Sequence, residues 1–356
     1  MPMMPTELHL STLKMLSLLA QQYKGLPKNP GKIIEMLQDK FGRIIDYLRV
    51  SVTDRCDLRC IFCMPHEGVT ALEHTDILRF EEIEAVVSVG AELGIKNVRL
   101  TGGEPLVRPG IATLARKLSG IPGINDLAMT TNGISFSQLG HSLLEAGLRR
   151  INFGISSMDM GVYSKITRTG NLEDALRGLD VAIEMGFTPI KVNVVVMKGI
   201  NEDLTGFVKL ATEKPVQVRF IEYMPIGPSA HSSLFVPASQ ILQRLKCTAA
   251  LEPAKTCTGN GPVLDTWRIH NGRGSLSIIA PLSEHICGHC NRLRLTADGQ
   301  LRLCLFSKGE INLKPALRPK PDRELLKSLF MEAIGKKPES LRQTDGFGRH
   351  MSQIGG

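Results

Sequence analysis

Residues Ser51-Val52-Thr53-Asp54-Arg55-Cys56-Asp57-Leu58-Arg59-Cys60-Ile61-Phe62-Cys63 put three cysteines in the pattern Cys-x3-Cys-x2-Cys directly after an apolar run. Three thiolates so spaced hold three irons of a 4Fe-4S cube and leave the fourth iron without a protein ligand. A zinc knuckle or three buried thiols is the competing reading, but a closed structural zinc site takes four ligands and none sits nearby at normal spacing. The run before the cysteines, Ile44 to Val52, reads as a strand, so the cysteine loop opens at a strand's C-terminal end.

From that strand outward the chain alternates. Glu81 to Leu93 reads as a helix, Asn97 to Leu100 as a strand, Ile111 to Leu118 as a helix, Leu127 to Thr131 as a strand, Ser137 to Ala146 as a helix and Arg150 to Ile155 as a strand. Leu172 to Met185, Pro189 to Met197, Asp203 to Ala211 and Val216 to Glu222 continue the rhythm as helix, strand, helix and strand. Strands alternating with helices predict a parallel sheet, and right-handed crossovers curl it into a partial, TIM-like (β/α)6 barrel of α/β class. Its ligand residues belong at the C-terminal strand ends, and the motifs comply. Cys56 follows the first strand, Thr101-Gly102-Gly103-Glu104-Pro105 the second, and Thr130-Thr131-Asn132-Gly133 ends the third.

After about residue 225 the rhythm stops, and β-like segments, a second cysteine group and a helix near Glu324 to Ile334 follow. The division expected is 1–40 as an N-terminal extension, 41–225 as the partial barrel, and 226–356 as an α+β extension that caps the barrel's open side and ends in a Gly-Gly tail. Leu10, Leu13, Leu16 and Leu19 suit a short amphipathic helix in the first part, before the breakers Gly25, Pro27, Pro30 and Gly31.

The second cysteine group is Cys287-Gly288-His289-Cys290 with Cys304 further on. Alternation on both sides of Asp298-Gly299 predicts a tight hairpin that carries Cys304 back beside Cys290. Taken alone this set suits zinc, with His289 or His285 as fourth ligand, as well as it suits iron and sulfur. The company of the first triad tilts it to a second 4Fe-4S cluster.

A chain of 356 residues, 42% hydrophobic and 22% charged, can bury a large core. Six of its eight cysteines fall in the two triads, which leaves no disulfide framework, makes Cys247 and Cys257 spectators, and points to a reducing compartment. With no apolar run of membrane-spanning length and no signal-peptide pattern, a cytoplasmic protein is expected, with no membrane partner. Lysine and arginine exceed aspartate and glutamate by 43 − 35 = 8, which favours anionic partners. Only 5% of residues are aromatic, too few for the stacking platforms of a nucleic-acid binder. Cations do recur at strand ends: Arg49 before the first triad, Arg99 before Gly102, Lys191 and Arg219 on the fifth and sixth strands, and Arg292 and Arg294 just after Cys290. Aimed at one cavity they call for anions, and a triphosphate with a carboxylate answers them economically.

The open-iron cysteine loop after one strand and the Gly102-Gly103-Glu104-Pro105 loop after the next resemble the radical S-adenosylmethionine superfamily. In that loop Glu104 or backbone carbonyls would accept from the ammonium of the cofactor, glycine allowing the close approach. More narrowly, Ser51 to Cys56, Cys63-Met64-Pro65, Thr101 to Leu106, Lys191-Val192-Asn193, Arg219-Phe220-Ile221-Glu222-Tyr223-Met224, Cys287-x2-Cys290-x-Arg292-x-Arg294 and Gly355-Gly356 resemble the GTP 3′,8-cyclase family of molybdenum-cofactor biosynthesis. The resemblance implies a lyase with two 4Fe-4S clusters and S-adenosylmethionine, held on Cys56, Cys60 and Cys63 and on Cys287, Cys290 and Cys304. It further implies GTP contacts at Arg49, Arg99, Thr130, Lys191, Arg292, Leu293 and Arg294, and cofactor contacts at Phe62, Gly103, Gly154, Arg219 and Met224. A small electron donor such as a flavodoxin or ferredoxin, a downstream cyclic pyranopterin monophosphate synthase and a homodimer are its implied partners, and the Gly-Gly tail would enter the barrel mouth. The chain departs from the family pattern at Gly154, where a serine is usual, at Phe62, where tyrosine is frequent, and at Asn97, where lysine is expected. The rival readings are a peptide-modifying radical enzyme with an auxiliary cluster and a noncatalytic iron-sulfur or zinc redox sensor.

Overall fold

The computed structural model describes residues 36–227, 232–254, 265–284, 286–340 and 348–355. The expected helix at Leu10 to Leu19, Cys257, His285 and Gly356 lie outside the described residues. Six strands, β1 (Tyr47–Ser51), β2 (Asn97–Thr101), β3 (Asp126–Thr131), β4 (Arg150–Gly154), β5 (Ile190–Val196) and β6 (Gln217–Glu222), pair in parallel in chain order. Between and after them run α1 (Phe80–Glu92), α2 (Ile111–Ser119), α3 (Phe136–Glu145), α4 (Met160–Thr167), α5 (Leu172–Glu184) and α6 (Thr205–Glu213). All but α4 match the sequence reading to within a few residues. That short helix follows β4 ahead of α5, where the sequence shows no second helical period.

Residues 232–355 contribute α7 (Ala238–Thr248), β7 (Leu251–Ala254), β8 (Thr266–Ile269), β9 (Ser275–Ile279), β10 (Arg292–Leu295), β11 (Gln300–Arg302), β12 (Glu310–Asn312), α8 (Arg323–Gly335) and α9 (Met351–Ile354). They join the sheet. β9 pairs in parallel with β6, and β10 in parallel with β1, so both edges of the six-strand sheet are extended. The antiparallel neighbours β8 and β7, and β11 and β12, finish what is, among the described residues, a twelve-stranded sheet in the order β12-β11-β10-β1-β2-β3-β4-β5-β6-β9-β8-β7. The strand order runs open from β12 to β7, as a partial barrel requires.

Strand alternation divides the side chains between two faces. Leu48, Val50, Val98, Leu100, Ile151, Phe153, Val192, Val194, Val218 and Phe220 are fully buried on the helical side, where Phe136 packs edge-on to Phe153 at 5.3 Å. The intervening positions face inward and are mostly polar. Arg219 on β6 lies within electrostatic reach of Arg99 on β2 and Arg292 on β10. In a flat sheet the four places from β6 to β2 would span roughly 19 Å, so this convergence reflects the curl that right-handed twist gives a parallel sheet.

Two buried carboxylates lock this frame. Glu222, at the end of β6, accepts from the amides of Ala238 at 2.8 Å, Leu282 at 2.9 Å and Ser283 at 3.0 Å, tying the barrel to two later segments. Glu104, after β2, accepts from Thr131 Oγ1 at 2.6 Å and from the amides of Asn132 at 2.7 Å and Leu106 at 3.0 Å. The same loop is sewn to the cysteine loop, because Gly103 N donates to Thr53 O at 2.7 Å and Glu104 N to Arg55 O at 2.8 Å. A Cβ on Gly103 would stand 2.2 Å from Arg55 O, and backbone cannot yield as a flexible side-chain tip can. Gly103→Ala is therefore expected to destabilise the fold by about 1–3 kcal/mol and to displace the cysteine loop. A lower unfolding temperature and impaired iron loading would show it; unchanged values for both would contradict the packing argument.

Candidate active site

The first triad sits on a loop without regular structure, held by its backbone. Arg59 donates to Cys56 O at 2.7 Å and Leu58 O at 2.9 Å, and Arg168 donates to Arg59 O at 3.1 Å and Met64 O at 3.2 Å. Arg59 N and Ile61 N donate to Thr167 O and Ile166 O, each at 3.0 Å, so the loop rests on the end of α4. All three cysteines are free and partly buried. Burial, aided by Glu104 and the neighbouring thiols, drives Cys56 far up, and burial with Cys63 and Asp57 does the same to Cys60. Burial pushes Cys63 to about 12, although Ser352 beside it favours the thiolate. Such a set is costly to ionise alone and fits a cationic iron centre, whose ligand bonds stabilise thiolates. Among the described residues no three His, Cys, Asp or Glu side chains converge tightly enough for a single ion; a cube takes its thiolates at separate corners.

The expected hairpin at Asp298-Gly299 forms. Cys287 and Cys290 flank a short turn, β10 and β11 pair with Arg294 opposite Arg302, and Cys304 follows β11. Arg294 lies within electrostatic reach of both Cys290 and Cys304. Burial alone would raise the Cys290 thiol, but Lys337, the Arg292 amide, Arg292 and Arg43 bring it below its ordinary value. His289 points to solvent.

Between the triads lies a cationic floor. The register sets Arg294, Arg49 and Arg99 side by side on β10, β1 and β2, and Lys191 level with Asn152 and Gln217. Arg99 and Arg292 flank the Tyr47 ring, with guanidinium carbons 5.6 and 5.8 Å from its centre. Arg219 donates to Asn193 Oδ1 at 2.9 and 2.7 Å. Burial, then Arg219, Arg150 and Arg99, lowers Lys191 to about 7, and burial and Arg99 lower Arg219 to about 9. Burial and Arg292 lower Arg294 to about 10; Arg49 is depressed by burial and by Arg294 and Arg99. Asp126 is the inward-facing acid of the parallel strands, and it pairs with Arg150. A floor of this kind is built to hold several negative charges at once.

The remaining site residues divide. Thr130 is on the floor, accepting from Asn152 Nδ2 at 3.3 Å. Leu293, between Arg292 and Arg294, is set apart from them, because alternation turns its side chain into the helical core; only its backbone faces the strands beside it. Phe62 packs by Tyr223 and Met197, and Met224 by Ile226 and Ile354, both on the triad rim. At Gly154 a Cβ would meet nothing closer than Thr131 O at 3.8 Å, so the missing serine is not a matter of space. Asn97 donates to Asp46 O at 3.3 Å, and Lys96 beside it is exposed on the other face. Glu104 has both oxygens engaged by Thr131, Asn132 and Leu106, which leaves backbone carbonyls as the acceptors on its loop.

The C-terminal tail reaches this centre. Ile354 is buried against Ile226 and Phe306 with Cys304 alongside. Gly355, at φ +78°, accepts from Arg294 Nη1 at 2.5 Å, and a Cβ there would lie 2.5 Å from Thr101 Oγ1. Arg349 fixes the entry through Asp298 at 2.9 Å and Glu310 at 2.9 Å. Sequence reading missed Arg59, Arg168, Arg43, Lys337 and the Arg150–Asp126 pair. Each acts on backbone or on a residue remote in sequence, and no local pattern marks such a partner.

Comparison with known proteins identifies the family. Residues 50–211 match the Radical SAM superfamily, and residues 216–342 match the family described as Molybdenum Cofactor Synthesis C. The GTP 3′,8-cyclase of Moorella thermoacetica is 46% identical over 324 residues, covering 90% of this chain and 100% of the relative. That of Pelotomaculum thermopropionicum is 45% identical over 326 residues, with 90% and 100% covered. Among solved structures, Streptococcus suis SuiB bound to the precursor peptide SuiA superposes with a TM-score of 0.59 at 12% identity, covering 92% of this chain and 77% of SuiB, a likeness of fold alone. With relatives this similar along nine-tenths of its length, the chain belongs to the GTP 3′,8-cyclase family of the radical S-adenosylmethionine superfamily.

Proposed function

We propose that this protein is a GTP 3′,8-cyclase, joining carbon 3′ of the GTP ribose to carbon 8 of guanine to give (8S)-3′,8-cyclo-7,8-dihydroguanosine 5′-triphosphate in the first step of molybdenum-cofactor biosynthesis. The observation that carries the reading is the gathering of Arg49, Arg99, Lys191, Arg219, Arg292 and Arg294 on one floor between two cysteine triads. When bound at Cys56, Cys60 and Cys63, a 4Fe-4S cluster with S-adenosylmethionine supplies hydrogen-abstraction chemistry by one electron. The chain's residues do the rest, binding, orienting and excluding water. Backbone carbonyls of the Gly103 loop receive the cofactor's ammonium, Arg219 its carboxylate, and Phe62, Gly154 and Met224 line its adenosyl and methionyl groups. Arg49, Arg99, Thr130 and Lys191 grip the triphosphate and ribose, while Arg292, the Leu293 backbone and Arg294 place GTP beside a second 4Fe-4S cluster on Cys287, Cys290 and Cys304. The Gly355 carbonyl orients Arg294 for that task. A flavodoxin or ferredoxin supplies the electron, a cyclic pyranopterin monophosphate synthase consumes the product, and the protein works in the cytoplasm, as a homodimer and without a nucleic-acid partner.

Anaerobic reconstitution should load about eight irons per chain, four for each cluster. Changing Cys56, Cys60 or Cys63 to alanine should abolish formation of 5′-deoxyadenosine, whereas changing Cys287, Cys290 or Cys304 should spare some of it and lose cyclised product. Stoichiometric zinc in place of the second cluster would overturn that half of the assignment.

Triphosphate binding should raise the depressed Lys191. Its ammonium is already charged below pH 7, so the effect lies above it: up to one proton is taken up per GTP at pH 8, and affinity falls as pH rises through that range. Calorimetry in buffers of different ionisation enthalpy measures the uptake, which Lys191→Met should remove. Arg99→Ala should weaken GTP about tenfold or more, a charge-assisted contact contributing ~1.5–3 kcal/mol. Equal affinity for guanosine and GTP would sink the triphosphate reading.

Deleting Gly355 and Gly356 should keep both clusters and 5′-deoxyadenosine formation while suppressing cyclised product, because Arg294 loses its backbone acceptor. Product analysis of the truncated chain decides; full cyclisation would make the tail dispensable.

A further inference from the structure

Lys337, just after α8, is a lysine that is only 2% exposed. Its Nζ donates to Arg292 O at 2.8 Å and to Leu303 O at 2.6 Å. The first acceptor lies two residues after Cys290 and the second one residue before Cys304. Arg43, 7% exposed, reaches the remaining segment: Nη1 donates to Cys287 O at 2.9 Å and Glu339 O at 3.0 Å, and Nη2 to Pro338 O at 2.7 Å. Every segment carrying a cysteine of the second triad is thus hydrogen-bonded to a buried cation, and the two cations are fastened together through residues 337–339.

The two differ in charge balance. Arg43 pairs with Asp39 at 2.6 Å. Among the described residues no carboxylate forms an ion pair with Lys337, whose carbonyl acceptors satisfy its donors but not its charge. The C-terminal end of α8 offers at most about half an elementary charge, and only in part. Burying an ammonium without a counter-charge is strongly unfavourable, and a neutral amide could donate to two carbonyls equally well. The charge itself therefore needs a negative partner nearby, and Cys290 is within its electrostatic reach.

We infer that Lys337 and Arg43 clamp the second cysteine triad, and that the unbalanced charge of Lys337 stabilises an anionic iron-sulfur cluster there and raises its reduction potential. This rests on the second cluster proposed above. Lys337 is a positioning residue, acting on the cluster through field and backbone.

The test uses the full-length chain, reconstituted anaerobically in a Cys56→Ala background that isolates the second cluster, and titrated with dithionite under electron paramagnetic resonance without GTP. Reduction adds a negative charge, so Lys337→Met should disfavour the reduced form about tenfold, ~59 mV for a one-electron couple. Lys337→Arg should recover most of the shift. Loss of the second cluster in Lys337→Met with recovery in Lys337→Arg supports the clamp equally. An unmoved potential in Lys337→Met, or the same loss of iron in both variants, overturns the role of charge. A parent chain in the native Cys56 form that loads only about four irons, rather than the eight of two clusters, overturns the second cluster and the clamp with it.

Discussion

Like charges withdrawn from water repel one another, and the inner face of this sheet gathers arginine and lysine from β1, β2, β5, β6 and β10. A free amine beside several guanidinium groups resists protonation, so the floor is electrostatically loaded before any ligand arrives. Strands and helices can hold such a surface because the opposite face of the same strands is packed with fully buried aliphatic and aromatic side chains. Alternation along each strand thus lets one element serve stability outward and carry the cationic floor inward.

The extension past residue 225 is part of that construction. β10 supplies Arg292 and Arg294 by pairing with β1, which sets Arg294 level with Arg49, and β9 shields the other edge at β6. The hairpin that returns Cys304 starts from β10, so the second triad and the floor share one strand. The tail then joins the two cysteine sites: Ser352 lies against Cys63, and Gly355 holds Arg294. A chain end that would otherwise fray is ordered here by a buried isoleucine and by ion pairs at Arg349.

Close backbone approach sets the geometry of the first site. Gly102 and Gly103 let the loop after β2 lie against Thr53 and Arg55, where any Cβ would collide with carbonyl oxygen. Burial raises Glu104 to about 7 even though three donors hold its oxygens. It serves as a structural anchor between the ends of β2 and β3, and the Gly102-Gly103 loop inherits its rigidity.

Both cysteine triads, the six-strand rhythm, the hairpin at Asp298-Gly299 and the cations of the floor are legible before folding, because each is written in short-range spacing or period. The sequence also carried the family, and a relative 46% identical over nine-tenths of the chain bears that out. Folding extends the sheet at both edges through β9 and β10, and no local period announces it, since pairing between β1 and β10 joins residues some two hundred and forty positions apart. It alone turned Leu293 into the core, gave Glu104 to Thr131 and Asn132, and brought Lys337 and Arg43 to the second triad. A buried charge is recognisable by what surrounds it, and that surrounding is assembled by folding.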